Sequence, residues 1–265
     1  MHKPQRTIKN GIIEITNPRG EHWYWSEEKK KFYPSVTMIT GVYPKGVGFA
    51  SWLGNQESFY EAERIKEEAG ERGTRVHRAI EDILKGEKIV FDEDTEETKK
   101  GKVSIGYKQL NGLNFWQAVE EWKMLEAFQK WVEKFQPEIL KTETTVISDM
   151  HEYGGTFDLA CRIDGELHIV DFKTSSNIYP THFLQVQAYA WAAAEMEMFK
   201  GETPKISVLQ FNKRTKIGYK FEVHEWSADE FGIFSSCQRI WNHANPKFDG
   251  PDVLELQEVI SLEKR

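Results

Sequence analysis

Hydrophobic positions along the chain change period several times, and each change predicts a different element. Near the start, short runs at Ile12 to Ile15, His22 to Trp25 and Lys31 to Tyr33, interrupted by Asn17-Pro18-Arg19-Gly20, predict brief strands joined by turns. Ser35 is placed to cap a short helix running through Ile39, and a second short helix around Phe49 to Leu53 follows the loop Pro44 to Gly48. Glu57 to Ala69 and Thr74 to Lys85 take a helical period and are expected as two helices separated at Gly70 and Gly73, with Val76, Ile80 and Ile83 as the apolar stripe of the second. Gly86 to Asn114 is polar, Gly-rich and aperiodic, so a mobile insertion is expected there. The helical period returns over Gln117 to Phe135, carried by Val119, Trp122, Leu125, Phe128 and Val132.

Alternation then replaces the helical spacing. Ile139 to Ile147, Gly155 to Ile163 and Leu167 to Lys173 predict three strands, Thr181 to Phe199 a helix, Ile206 to Phe211 and Tyr219 to His224 two further strands, and Asp229 to His243 a closing helix. The order is helices, an antiparallel strand group, a crossover helix and more strands. It predicts an α/β fold with a mixed sheet flanked by helices.

Composition adds bounds. With 265 residues, 39% of them hydrophobic, the chain can bury a full core as one large domain. Two cysteines, Cys161 and Cys237, are too few for a disulfide framework, and no iron–sulfur cluster is expected from this chain alone. No apolar run reaches membrane-spanning length and Met1 to Arg6 lacks the apolar stretch of a secretory signal, so a cytoplasmic protein with no membrane partner is expected. A formal net charge of −7 argues against a broad basic surface for nucleic acid and leaves room only for a narrow channel. Basic residues gather locally at Arg72, Arg75 and Arg78, at Lys99, Lys100 and Lys102, and at Lys213, Arg214 and Lys216, where a solvated face is the ordinary reading.

The candidate chemistry sits on one predicted hairpin. Asp164-Gly165 is a turn signal between two apolar-rich strands, so Asp158 before it and Asp171 after it should face each other, with Lys173 on the face of Asp171. An isolated aspartate usually serves a turn or strand end. Here Asp158, Asp171 and the Phe172 carbonyl together make a set of hard oxygen donors suited to magnesium or manganese, and Lys173 would point where the metal points, able to hold a phosphate oxygen or orient an attacking water. His77 and Glu81 are one helical turn apart and could both approach such a metal, and Gln185 and Tyr189 are likewise one turn apart on the following helix.

Gly73 to His77, Gly155-Thr156-Phe157-Asp158, Asp171-Phe172-Lys173 and Gln185 to Tyr189 resemble, in order and spacing, the RecB-type branch of the PD-(D/E)XK nucleases. Each motif is weak alone; their succession over about Ser35 to Tyr189 carries the resemblance. It implies a restriction-endonuclease-like core and a single nuclease domain over 1–265, with an N-terminal region over 1–56, a catalytic core over about 57–225 and the polar insertion over about 86–114. It also implies His77 as an additional metal ligand, a DNA-proximal role for Gln185 and Tyr189, and an acidic residue near the site at Glu143, which either binds metal through water or faces solvent. Ser35-Val36-Thr37 and Tyr43-Pro44-Lys45-Gly46 resemble a segment of the mitochondrial genome maintenance exonucleases and related phage proteins, where Ser35 and Thr37 would hold a strand end or simply cap a helix. Trp52, Phe59 and Tyr60 are either core residues or base-stacking ones.

The expected activity is a metal-dependent deoxyribonuclease, an exonuclease on single-stranded DNA or DNA ends, working alone or with a helicase or recombination partner. The same site would also fit a structure-specific endonuclease, an RNA nuclease, or an idle nucleic-acid-binding relative.

Overall fold

The Asp164-Gly165 turn closes as its residue types dictate: both residues have positive φ, 51° and 84°, the geometry of a two-residue hairpin loop. In the computed structural model, which describes residues 5–9, 12–16, 21–92, 106–211, 215–246 and 250, that hairpin is the centre of the molecule. Its strands, β6 (Tyr153–Ile163) and β7 (Glu166–Lys173), lie between β5 (Glu138–Ser148) and β8 (Lys205–Phe211), and β9 (Tyr219–His224) completes a five-stranded sheet in chain order. Every pairing is antiparallel except β7 with β8, where helix α6 (Pro180–Glu195) makes the crossover that parallel strands require. The expected mixed sheet is therefore present.

A second, four-stranded antiparallel meander comprises β1 (Gln5–Lys9), β2 (Ile12–Thr16), β3 (His22–Ser26) and β4 (Lys31–Pro34); the sequence reading identified the last three of these strands and missed β1. Helices α1 (Val36–Thr40) and α2 (Val47–Gly54) follow it, then α3 (Phe59–Leu84), the short α4 (Tyr107–Leu110), α5 (Phe115–Phe135) and, after β9, α7 (Ala228–Ala244). One face of the large sheet buries Ile169, Ile206 and Val208 against Val186 and Tyr189 of α6 and Phe234 of α7. The other buries Leu159, Val170, Phe172 and Leu209 against Val76 and Ile80 of α3 and Phe128 and Trp131 of α5. Cys161 and Cys237 are free and buried. Among the described residues no helix is long and apolar enough to cross a membrane.

Two expectations are corrected. The predicted pair of helices is one continuous helix, α3, through Gly70 and Gly73. A mid-helix glycine costs only about 1 kcal/mol relative to alanine, and burial of Ala62, Val76, Ala79 and Ile80 along α3 outweighs it. The polar stretch over 86–114 is not uniformly an insertion: Val90 bridges Gly106, Tyr107 and Leu113 are buried in the core, and Asn114 caps α5 through the Gln117 amide. Residues 93–105 of that stretch lie outside the described residues.

Adjacent glycines on β6 join the layers. A side chain on Gly154 would strike the Tyr24 ring from β3, and one on Gly155 would strike the Tyr189 ring from α6, with would-be Cβ contacts of 2.6 and 2.3 Å. Neighbouring strand residues face opposite ways, so this pair admits one aromatic ring from each side. The meander is fixed further by the Ser35–Gly154 bridge and by Tyr33, whose hydroxyl donates to Asp149 at 2.6 Å.

Candidate active site

The centre of the site is the point where β6 and β7 separate. Their pairing runs from Ile163 opposite Glu166 to Leu159 opposite Val170 and ends there. The Asp158 carboxylate takes the next amide: Oδ2 accepts the Phe172 N–H at 2.5 Å. An extended residue turns its N–H and C=O to the same edge, so the Phe172 carbonyl faces the Asp158 side. Its ring stays in the core, against His77, Phe128 and Phe211.

Three other elements reach this point. From α3, His77 sets its Nδ1 3.2 Å from Asp158 Oδ1. Gly73, one turn earlier, lies where a Cβ would approach the Thr174 hydroxyl at 3.3 Å, which accounts for a glycine where the helix passes close behind Lys173. From β5, Glu143 adopts φ 41° in a strand whose register is already irregular between Ile139 and Lys141. A non-glycine residue with positive φ in a strand is strained, and here the strained residue is one that faces the cluster. His77, Glu143 and Asp158 each offer a ligand atom within 4.8 Å of the others. Glu81, one turn beyond His77, is outside this group and instead accepts from Lys85 at 2.6 Å.

Asp171 and Lys173 share a face, as their spacing requires. Lys173 Nζ lies 2.5 Å from the buried Asp171 Oδ2 as a close ion pair. The ammonium also donates to Gln185 Oε1 at 3.0 Å. Gln185 Nε2 in turn donates to Thr40 Oγ1 of α1, at 3.4 Å. Thr40 is a contributor that sequence reasoning missed: a threonine at the end of a short helix carries no signal of its own, and only the fold brings α1 beside α6.

Electrostatics separate the two aspartates. Burial would raise the Asp158 pKa, but the His77 charge and hydrogen bond, Lys173 and the Phe172 amide together hold it below the usual carboxylate range. Burial dominates at Asp171 and, with repulsion from Asp158, pushes it up to about 6 against the opposing charge of Lys173. Burial works to lower the His77 pKa, yet Asp158 outweighs it and the imidazole is raised. Tyr189, enclosed and facing the fields of Asp171 and Asp158, is raised far enough to stay a neutral phenol. Burial, aided by Lys173, lowers His182 to about 3, and its neutral Nδ1 accepts the Tyr179 N–H at the start of α6.

Other candidates lie elsewhere. Arg75 is a partner of buried Glu121, which also accepts from the Tyr107 hydroxyl at 2.6 Å, and Arg72 pairs with Glu120. Both arginines thus brace α3 against α5. Phe59 and Tyr60 are exposed while Trp52 is half-buried, so the first two are not core residues. Lys99, Lys100, Lys102, Lys213 and Arg214 lie outside the described residues.

The donor set fits a hard divalent cation: Asp158, Glu143 and the His77 imidazole converge, and a second buried carboxylate, Asp171, interacts electrostatically with Asp158. The sequence matches the family model of the PD-(D/E)XK nuclease superfamily over residues 52–251, most of the chain. The chain belongs to the PD-(D/E)XK nuclease superfamily. Membership makes it a nuclease with a restriction-endonuclease-like fold and a nucleic-acid substrate, in a superfamily whose members use divalent metals. Among solved structures, the PD-(D/E)XK chain is similar to SSO0001 at 13% identity and TM-score 0.34, covering 49% of this chain and spanning 60% of that one. It is also similar to a candidate exonuclease from Eubacterium rectale at 14% identity and TM-score 0.46, covering 91% of this chain and 93% of that one. No curated protein matches the sequence.

Proposed function

We propose that this nuclease is a magnesium- or manganese-dependent deoxyribonuclease that removes nucleotides from single-stranded DNA or DNA ends. The observation that carries the reading is the convergence of His77, Glu143 and Asp158, with the Lys173 ammonium between the buried Asp171 carboxylate and Gln185. Asp158, Asp171 and the Phe172 carbonyl would hold the metal, with His77 and Glu143 completing its surroundings. When bound, the metal supplies Lewis-acid stabilisation of the charge that develops on the phosphate. The protein residues do the rest. Asp158, kept ionised by His77, fixes the β6 end through the Phe172 amide; Lys173 presents its ammonium to a phosphate oxygen or the attacking water; Gln185 holds that ammonium; and Tyr189, always protonated, can donate a hydrogen bond but cannot serve as a base.

Preference for ends is supported by α1. The segment that resembles the exonucleases, Ser35 to Thr37, is continuous with the helix that contacts Gln185 through Thr40 and bridges Gly154 through Ser35. The test uses end-labelled single-stranded, duplex and circular DNA and an RNA oligonucleotide, with magnesium, manganese or chelator. Expected is metal-dependent release of short products from linear DNA, lost by about a hundredfold or more in Asp171→Ala. Cleavage of circles would replace the exonuclease by an endonuclease, preferential cleavage of RNA would change the substrate, and no metal-dependent cleavage of any substrate, with Asp171→Ala indistinguishable from wild type, would leave a binding protein.

A further inference from the structure

We infer that Thr40 is a positioning residue of the active site: its hydroxyl sets which way the Gln185 amide faces and thereby where the Lys173 ammonium stands. The inference rests on the nuclease reading and concerns the direction of one chain of hydrogen bonds. An ammonium can only donate, so the Gln185 atom beside Lys173 must be the carbonyl oxygen, as found at 3.0 Å. The amide nitrogen then points the other way and must find an acceptor. Thr40 Oγ1 is that acceptor at 3.4 Å, and it is free to accept because its own proton goes to the Val36 carbonyl at 3.0 Å, within α1. The chain runs in one direction only, from Lys173 through Gln185 and Thr40 to the backbone of α1.

Thr40 is 4% exposed, so water has little access to replace its hydroxyl. An amide has nearly the same shape in either orientation, and packing alone distinguishes oxygen from nitrogen poorly. Reversed, Gln185 would turn its NH2 group toward the ammonium and repel it. The Lys173 ammonium is shared between Gln185 Oε1 and Asp171 Oδ2, 2.5 Å away, the carboxylate oxygen proposed for the metal. The hydroxyl of Thr40 therefore keeps Gln185 Oε1 as one of the two partners that fix the ammonium. Thr40 does not approach the substrate in this account; it acts through Gln185.

The experiment compares wild type with Thr40→Val, which keeps the branched shape and removes the hydroxyl, and Thr40→Ser, which keeps the hydroxyl, each alone and combined with Lys173→Ala, on a linear single-stranded DNA with saturating magnesium. Expected for Thr40→Val is a fall in kcat of roughly tenfold to a hundredfold with KM nearly unchanged, recovery in Thr40→Ser to within a few-fold of wild type, and no further loss when Thr40→Val is added to Lys173→Ala. A Thr40→Val enzyme that cuts at the wild-type rate overturns the positioning role and leaves the nuclease reading intact. Equal losses in Thr40→Val and Thr40→Ser, or a loss that multiplies with that of Lys173→Ala, assign Thr40 to packing and also overturn it. Absence of metal-dependent cleavage by wild type overturns the nuclease reading itself, and the role of Thr40 with it.

Discussion

Asp158 and Asp171 lie side by side yet contribute to the metal-free fold with opposite sign. Asp158 has hydrogen bonds from His77 and the Phe172 amide, and its folded-state pKa is depressed, so its stabilisation is present above the unfolded value and lost as pH falls. Asp171 is raised from 3.8 to about 6, so the folded chain favours the protonated acid. Folded protein then binds more protons than unfolded protein between those values, and stability falls as pH rises through that window, reaching its full loss above about pH 6. Bound metal reverses this, because it requires the ionised carboxylate. Asp171→Asn is therefore expected to stabilise the metal-free protein at pH 7.5 by about 1–3 kcal/mol, to remove part of the fall in Tm between pH 4.5 and 7, and to abolish the gain in Tm that magnesium gives wild type. Thermal melts with and without chelator check it; a variant less stable than wild type at pH 7.5 without metal would contradict the proposed origin of the shift.

At the scale of elements, the spacing of Gly155 and Asp158 has a mechanical meaning. The glycine admits the Tyr189 ring, the aspartate marks the end of β6–β7 pairing, and α6 carries both Tyr189 and Gln185, so close packing at Gly155 sets how far Gln185 stands from Lys173. Gly155→Ala would put a Cβ 2.3 Å from a ring carbon of Tyr189 that is enclosed by core and has no room to withdraw. The expected result is a loss of about 1–3 kcal/mol in stability from overpacking, with a larger proportional loss of kcat than of metal affinity as α6 shifts. Chemical denaturation and steady-state kinetics check it, and Tyr189→Phe, which leaves the clash in place, should not rescue it. Apart from β1, the strands, the hairpin turn and α6 were legible in the sequence because alternation, Asp164-Gly165 and helical spacing are local signals. The continuity of α3 was not, since two glycines signal a break locally and only the core packing of Val76 and Ile80 overrides them. That Asp158, Asp171, Lys173 and His77 lie near one another was legible through motif order. The position of Glu143 was not fixed by sequence, because its positive φ belongs to an irregular stretch of β5 and no residue type announces it. Arg72 and Arg75 misled for the converse reason: a basic cluster looks alike whether it faces phosphate or a buried glutamate across a helix pair.

For the molecule as a whole, the charge balance decides what kind of hold it has on nucleic acid. The formal net charge is −7, and two of the arginines that would make a basic stripe on α3 are committed to Glu120 and Glu121. The net charge and these pairings among the described residues weaken long-range attraction of a polyanion, and binding is expected to come chiefly from the site itself: the metal, Lys173 and contacts to bases. Counterion release gives a quantitative test, because each phosphate neutralised on a single strand contributes about −0.7 to the slope of log affinity against log salt. If about three phosphates are engaged at the site and nowhere else, that slope is about −2, well short of the value for a protein that tracks a strand along a basic groove. Fluorescence anisotropy with a labelled single strand, in calcium to hold substrate without turnover and over a range of sodium chloride, measures it directly. A slope near −2 that collapses on chelation would place most of the electrostatic hold at the metal, whereas a slope of about −5 or steeper that survives chelation would require an extensive basic surface and sink the account of a nuclease that grips its substrate only at the cut.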